Sequence, residues 1–535
     1  MLAKTLRNTS PVINKPASLV RNVVFNVGGY VVSVIATFLV APITIHSLGD
    51  TRYGAWSLVA EIVGYYGLLD LGIRGAVTYY VARHSAHNEH VQISETIASS
   101  FWILCASGLF VFLGGAVLAL AFPHLFNTTG LDLAELRTAL LIMSAVIAAS
   151  LPMSTFSAVL GGRQRFDQDT IAEVSTRILT GIGMYAVMKA GYGLVALALV
   201  QTVARLTYWG MIAFFVKRIL GGLFIRPALF SVRRFRALAA YGSRNLVTQI
   251  AQLVIRRLDL LVVAMFVGVA HVTYYSIGGT LVNYATTLCA TVVFAFTPRF
   301  TELYSRGAHQ ELERLYLSGI RVTGVLVTGL VVSMLVFGRP FIRLWIGSSY
   351  VSGLWINRSD VVMTVLILAY LPRMLHHISW QLLLASARVR FLMWLNILEA
   401  VANLGLSLIL VRRYQLLGVA MGTLIPMVLS NVVVLPAYIS RQFQIPLTRL
   451  AKKGLSVPLL TGAAIAIVAA LLVHTKPPTS WRIFLLEAVC TAIAWASLGW
   501  ALGFSKSERH DLLVRVGIIL PSNVEQAFST GRADR

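Results

Sequence analysis

Residues 241–268 read YGSRNLVTQIAQLVIRRLDLLVVAMFVG. The run is long and apolar enough to cross a bilayer, which takes about 20 residues for some 30 Å of hydrocarbon. Yet Arg256, Arg257 and Asp259 fall near its middle. A charge at bilayer depth costs about 3 kcal/mol on insertion scales, so it persists only where it faces protein, water or a ligand. Arg256 and Asp259, three apart, can pair on one helix face. Arg257 points about 100° away from Arg256, which leaves one of the two arginines for another partner. The run therefore predicts one wall of a polar path through a membrane protein.

The rest of the chain has the same solvent. Of 535 residues 57% are hydrophobic and only 12% charged, and mean hydropathy is +0.76, whereas soluble domains carry about 25% charged residues. Apolar runs of spanning length cover 22–45, 54–80, 97–122, 136–160, 171–189 and 192–216, then 241–267, 273–296, 320–346, 361–384, 391–411 and 416–439, and finally 455–473 and 483–504. The predicted fold class is an all-α polytopic membrane protein of about 14 transmembrane helices. Residues 1–21 read as a basic cytoplasmic tail and 505–535 as a second one. Lys and Arg concentrate in the segments that this arrangement puts on the side of the termini, which makes both termini cytoplasmic. Tyr53, Trp56, Trp345, Trp355 and Trp481 then gather near the outer interface, as an aromatic belt does.

The net charge of +24 is accounted for by these loops and by arginines within spans, so nucleic acid is not an expected partner. The longest internal connection, 217–240, holds Lys217, Arg218, Arg226, Arg233, Arg234 and Arg236 among Leu, Phe and Ile. It reads either as an amphipathic segment on the anionic inner leaflet or as a solvated linker. Cys105, Cys289 and Cys490 lie far apart in apolar runs and give no disulfide framework or zinc spacing. His84, His87 and His90 sit in an exposed loop whose three-residue spacing drifts round a helix, so no metal is expected there.

An internal repeat with an offset of roughly 220 residues organises the spans. FLVAPITIHSLGDTRYGAWSLV (38–59) answers to LLVVAMFVGVAHVTYYSIGGTLV (260–282), and RILTGIGMYAVMKAGYGLVALALV (177–200) to EAVANLGLSLILVRRYQLLGVAMGTLI (399–425). Each copy has six spans, so both enter the membrane from the same side and form a parallel pseudo-two-fold pair. The domain reading is an N-lobe at 22–216, the linker at 217–240, a C-lobe at 241–440 and two further spans within 441–504. Lobes of this kind suit alternating access. The chain has no G-x-x-x-x-G-K-[ST] phosphate loop, so it carries no nucleotide-driven pump of its own. No outer loop is long enough to fold as a catalytic domain, which argues against a polymerase or ligase.

Other charges inside spans follow a pattern. Asp70 and Arg74, and Glu173 and Arg177, stand four apart on single helix faces. Arg205 is alone in the middle of the sixth span, and Arg373 follows Pro372 in the tenth. Asn396, Glu399 and Asn403 form a polar stripe on the eleventh. Glu399 suits uptake of a proton or sodium, or equally the capping of an arginine. Arg339 and Arg343 near the outer end of the ninth span read as snorkelling to the interface. Cations outnumber anions, which favours an anionic substrate, and guanidinium groups match phosphate oxygens through paired hydrogen bonds.

LGDTRYGAWSLV (48–59), LLDLGIRGAVTYYVARHSA (68–86), RRLDLLVVAMFVG (256–268) and TYYSIGG (273–279) resemble the polysaccharide-transporter branch of the multidrug/oligosaccharidyl-lipid/polysaccharide flippase superfamily, which includes the Wzx-type O-antigen flippases. The resemblance covers roughly the first twelve spans. It implies two six-helix lobes around a V-shaped cationic cavity. It also implies that a polyprenyl-diphosphate-linked oligosaccharide is turned from the inner to the outer leaflet of a bacterial cytoplasmic membrane, driven by an ion gradient or membrane potential. Carried onto this chain, Arg74, Arg256, Arg257 and Asp259 stand in the matching motifs. The substrate's diphosphate and acidic sugars are then expected at Arg74, Arg177, Arg205, Arg256, Arg257 and Arg373. Asp70, Asp259 and Glu399 are candidates for coupling to H+ or Na+, and no other cofactor is expected. Partners would be the lipid-linked substrate, membrane lipids and a polysaccharide polymerase with other assembly proteins. The alternative is a multidrug or small-molecule antiporter. Drug-exporting relatives often carry an acid in the first span, and residues 22–45 have none.

Overall fold

The computed structural model describes residues 19–65, 72–222, 225–238, 258–294 and 296–503, which are helical with short turns and no strand. The chain divides into two compact units, residues 1–253 with 268–270, and residues 254–267 with 271–535. Among the described residues nine helical stretches are long and apolar enough to cross a membrane. The chain is thus a multi-pass α-helical membrane protein.

The first unit contains α1 (Leu19–Tyr65), α2 (Ile73–Ala86), α3 (His90–Leu125), α4 (Leu133–Gly162), α5 (Phe166–Lys189) and α6 (Leu194–Leu220). Helix α1 is broken at Gly49, whose φ of 72° and ψ of 168° are not helical. The second run, predicted as one span over 54–80, is helical to Tyr65 and again from Ile73, after Gly72 at φ 68°. Only glycine takes that left-handed backbone freely. Helix α5 is charged by Asp167, Asp169, Glu173 and Arg177, which sets it apart from the purely apolar spans. In lipid, helices associate by close packing of small residues more than by hydrophobic burial. Gly108 shows this: a Cβ there would lie 2.4 Å from the Ala148 carbonyl oxygen of α4.

The part of the linker at 225–238 docks on this first unit. Trp102 Nε1 donates to the Ile225 carbonyl at 3.0 Å, and the Ser231 amide donates to Ser99 Oγ at 3.0 Å. Arg234 reaches Glu95 at 3.3 Å and His84 Nε2 at 3.1 Å. His84 Nδ1 meets Glu89, and this contact holds the Glu89 carboxyl below the usual carboxylate range. Leu238 is buried, while Arg226, Arg233, Arg236, Phe230 and Phe235 stay exposed. The segment is therefore amphipathic, with Arg234 on the docked side.

The second unit contains a helical stretch at 258–266 (α7), then α8 (Val269–Phe294), α9 (Thr297–Ser305), α10 (His309–Trp345), α11 (Ser359–Leu375) and α12 (His377–Ala385). It continues with α13 (Val389–Val428), a π-helical turn (Leu429–Val434), α14 (Leu435–Phe443), α15 (Ser456–Thr475) and α16 (Trp481–Leu498). Helices α15 and α16 pack on α10. Trp495 Nε1 donates to the Val325 carbonyl at 2.9 Å, and a Cβ on Gly329 would come within 2.3 Å of that indole nitrogen. At the end of α10, Arg343 donates to the Pro478 carbonyl at 2.9 Å and Arg339 lies 3.7 Å from Asp360.

Helix α13 is a hairpin rather than a rod. Gln415 has φ 49° and ψ −125°, and the two arms fold back so that Ser407 meets the Val419 carbonyl and Asn403 meets Thr423. The crossing needs bare backbone, since a Cβ on Gly418 would lie 2.3 Å from Leu410 O and one on Gly422 would lie 2.2 Å from Ser407 Oγ. Gly422→Val is expected to lower thermal stability by at least the 1–3 kcal/mol typical of overpacking. A melting curve of detergent-purified protein measures this, and Gly405→Val, where a Cβ meets nothing within 4 Å, is the control.

Candidate functional site

Among the described residues polar side chains gather in both units. In the first unit α2 presents Arg74 one residue after its start. Arg74 Nη2 donates to Ser157 Oγ of α4 at 2.9 Å and stands 3.9 Å from Asp169 Oδ2 of α5. Ser157 donates to the same carboxylate at 3.0 Å, and Tyr208 of α6 donates to its other oxygen at 2.6 Å. Asp169 thus ties four helices together while the Arg74 side chain stays 53% exposed. Asp70, expected as the companion of Arg74, lies outside the described residues, as do Arg256 and Arg257.

The same unit holds a cavity of ≈370 Å³ farther along α5 and α6. Arg177 and Arg205 both line it, with Glu173, Gln201, Tyr53 and Trp56. Arg177 Nη2 donates to Glu173 Oε1 at 2.6 Å, the i, i+4 pair that the spacing predicts. Arg205 is exposed.

In the second unit Asp259 and Asn403, one residue of the stripe on α13, belong to one network. Asp259 Oδ2 accepts from Tyr275 OH of α8 at 2.7 Å and from Thr423 Oγ1 at 2.9 Å. Asn403 Nδ2 donates to Thr423 Oγ1 at 2.8 Å. Among the described residues the groups that touch Asp259 are neutral. One turn away on α13, Glu399 takes a different set. Arg373 Nη1 donates to Glu399 Oε2 at 3.1 Å, and Ser430 and Asn431, on the π-helical turn, donate to Oε1 at 2.6 and 3.0 Å. The Arg373 guanidinium also lies 4.9 Å from the centre of the Trp380 ring. Of the two roles open to Glu399, the geometry supplies the capping of an arginine. Asn396 is buried, with neither amide atom hydrogen-bonded among the described residues. His376 is buried against Ser379 at 3.2 Å.

The sequence reading missed Asp169, Tyr208, Ser157 and Tyr275. Asp169 carried a signal, since 169, 173 and 177 recur every four residues along one helix face, but it precedes the apolar run that begins at 171. The hydroxyl groups carried none. Glu487 of α16 was also passed over. It is buried, and neither carboxyl oxygen has a hydrogen-bond partner among the described residues.

The fold is shared with the lipid II flippase MurJ in an inward closed conformation, at a TM-score of 0.69 and 13% identity, over 94% of this chain and 100% of that one. It is also shared with a multidrug resistance MATE family transporter of the MOP superfamily, inward-facing, at a TM-score of 0.62 and 16% identity, over 78% and 98%. By sequence the chain is 22% identical to a Shigella flexneri protein named "Putative O-antigen transporter", over 77% of this chain and 96% of that protein. It is likewise 22% identical to the Bacillus subtilis membrane protein EpsK, over 92% and 96%. The family model described as "Polysaccharide biosynthesis protein" matches residues 81–353, just over half of the chain, and the chain belongs to that family.

Proposed function

We propose that this protein is a flippase that moves a polyprenyl-diphosphate-linked oligosaccharide from the inner to the outer leaflet of a bacterial cytoplasmic membrane, with both termini on the cytoplasmic side. The observation that carries this reading is the surplus of guanidinium groups at spanning depth in a chain of the polysaccharide biosynthesis family. Arginine is the side chain best matched to diphosphate oxygens, because its planar fork binds two of them at once. The relatives' names point the same way, to an O-antigen transporter and, for the fold, a lipid II flippase.

Arg256 and Arg257, with Arg74 in the matching motif, are the groups assigned to the diphosphate. Asp259 is assigned to coupling. A carboxylate at bilayer depth whose partners among the described residues are hydroxyl groups has room for a proton or sodium. Translocation is by alternating access, and a polymerase that consumes the flipped substrate is the natural partner.

The test uses cells lacking the protein, with the polysaccharide pathway active. Lipid-linked oligosaccharide is expected to accumulate on the cytoplasmic leaflet, as read with a membrane-impermeant label. Wild type should reverse the accumulation, and the Arg256→Ala/Arg257→Ala double variant, present at normal level in the membrane, should restore less than a tenth of it. Absence of accumulation overturns the reading and makes drug and dye efflux the next assay.

A further inference from the structure

The two copies of the repeat differ in charge at one end. In the second unit this is the end where α10 finishes, α11 begins and the α13 hairpin turns. Asn357 Nδ2 donates to Gln415 Oε1 in that turn, and Arg343 donates to the Pro478 carbonyl at 2.9 Å, so three connections meet there. Residues 267–276, 339–360 and 411–416 hold five arginines and one acid, Asp360. Their counterparts in the first copy, 45–54, 117–137 and 189–194, hold three cations and three acids. Two of those acids are spent on local structure. Asp132 Oδ1 accepts from the Ala134 amide at 2.9 Å, and Glu135 accepts from the Leu194 amide at 2.6 Å and lies 3.5 Å from Arg52. In the second unit Asp360 is buried and accepts from Arg358 Nε at 2.9 Å. Arg339 stands 3.7 Å from the same carboxylate with its side chain 62% exposed. Arg412 and Arg413 are exposed, and neither has an ion-pair partner among the described residues.

We infer that this end of the second unit is a ledge that binds the phosphate of an anionic lipid at headgroup level. It rests on the orientation proposed above only for the leaflet it faces, which is the outer one. Topology does not call for the surplus, because Lys and Arg are favoured in cytoplasmic segments and not in outer ones. The fold does not call for it either, since the first copy has balanced charge in the corresponding connections. Like charges held together repel one another, and a bound anion relieves that repulsion. Two observations set the level. Leu354 and Trp355, on the loop that carries Asn357, are 70% and 57% exposed, and exposed tryptophan belongs at the headgroup boundary. Arg339 starts inside α10, whose last residue is Trp345, and reaches toward Asp360 at the start of α11, as a snorkelling arginine does. The guanidinium fork then selects phosphate, whose oxygens it binds in pairs, and a basic cluster near a membrane surface favours anionic lipid. The ledge is separate from Arg74, Arg256 and Arg257, the groups assigned to the diphosphate during translocation. Two lipids offer the same chemistry at this level, an anionic phospholipid through its headgroup and a flipped lipid through its diphosphate.

The test uses the full chain in phosphatidylcholine nanodiscs. Three photoreactive lipids are added in separate arms: polyprenyl diphosphate, phosphatidylglycerol and, as the uncharged control, polyprenol, each with a diazirine next to its head. Adducts are mapped by mass spectrometry of peptides. At least one anionic probe is expected to label residues 339–360 and 411–416 at least about tenfold more than polyprenol does. The Arg339→Gln/Arg412→Gln/Arg413→Gln variant, with Arg358 and Asp360 kept, should lose that preference while melting like wild type. Raising the salt to 1 M, where charges are screened within about 3 Å, should weaken the wild-type labelling. Labelling by the diphosphate alone identifies the flipped lipid as the ligand, and labelling by phosphatidylglycerol as well identifies anionic headgroups in general. Equal labelling by polyprenol, or a triple variant that labels like wild type, overturns the ledge. A nanodisc exposes both leaflets and the labelling needs no transport. A chain that fails to flip in proteoliposomes therefore sinks the flippase reading and still reports on the ledge.

Discussion

Arg373→Ala is expected to remove about 3–5 kcal/mol of stability, the usual cost of stripping one partner from a buried ion pair. Arg373 is 7% and Glu399 3% exposed. Their contact at 3.1 Å is backed by Ser430, Asn431 and the Trp380 ring. Without the guanidinium, Glu399 keeps two neutral donors and loses its counter-charge. Glu399→Gln is the mirror case and should cost a similar amount, because the arginine is then the stranded charge. Arg373→Met combined with Glu399→Leu removes both charges and is expected to recover most of the lost stability, as apolar replacement of buried pairs generally does. Melting curves of the three variants in detergent make the comparison. The double variant also separates two roles for Arg373, because a group that contacts substrate would leave transport lost even when the fold is restored. An Arg373→Ala protein that melts like wild type but no longer transports would show that the pair does not hold this part of the unit together.

The difference between what the sequence predicts here and what it leaves open has a physical basis. The Glu173–Arg177 pair was legible because helix geometry alone brings residues four apart together. The turn at Gln415 was legible as well, since RRYQ interrupts two apolar runs, and so was the helical, multi-pass class. The contact of Arg74 with Asp169, at 3.9 Å among the described residues, was not legible. It joins two helices, and choosing it requires knowing which way each helix is rotated. In a soluble protein the apolar face reveals that rotation. In a membrane both the lipid-facing and the protein-facing sides are apolar, so periodicity says little. The same blindness left Glu399 open between an ion and an arginine, and hid the fact that Arg177 and Arg205 share a cavity while Arg373 does not line it. The mid-span arginines were conspicuous as charges, but only the packing distinguishes Arg205, with no partner among the described residues, from Arg373, which is buried against Glu399.

Asp259→Asn is expected to reduce flipping at least about tenfold and to abolish whatever dependence on a proton or sodium gradient the wild-type protein shows. Asn is nearly isosteric and retains one acceptor oxygen, so Tyr275 and Thr423 keep a group to donate to. The fold should therefore survive, and a melting curve close to wild type is part of the expected result. What the substitution removes is the negative charge, and with it the ability to bind a cation or exchange a proton. The position makes that loss consequential, because Thr423 and Asn403 connect Asp259 to both arms of the α13 hairpin. A cation that drew Thr423 toward Asp259 would act directly on the contact between those arms. Thr423→Val tests that connection. It removes the hydroxyl that bridges the carboxylate and Asn403, and should weaken ion dependence without deleting the charge. Flipping in proteoliposomes with imposed sodium and proton gradients, each alone, reads both variants and identifies the ion. Full gradient dependence retained in Asp259→Asn would move the coupling role away from this carboxylate. Glu399, already committed to Arg373 at 3.1 Å, would be a poor substitute, because taking up a proton there would strand the buried guanidinium.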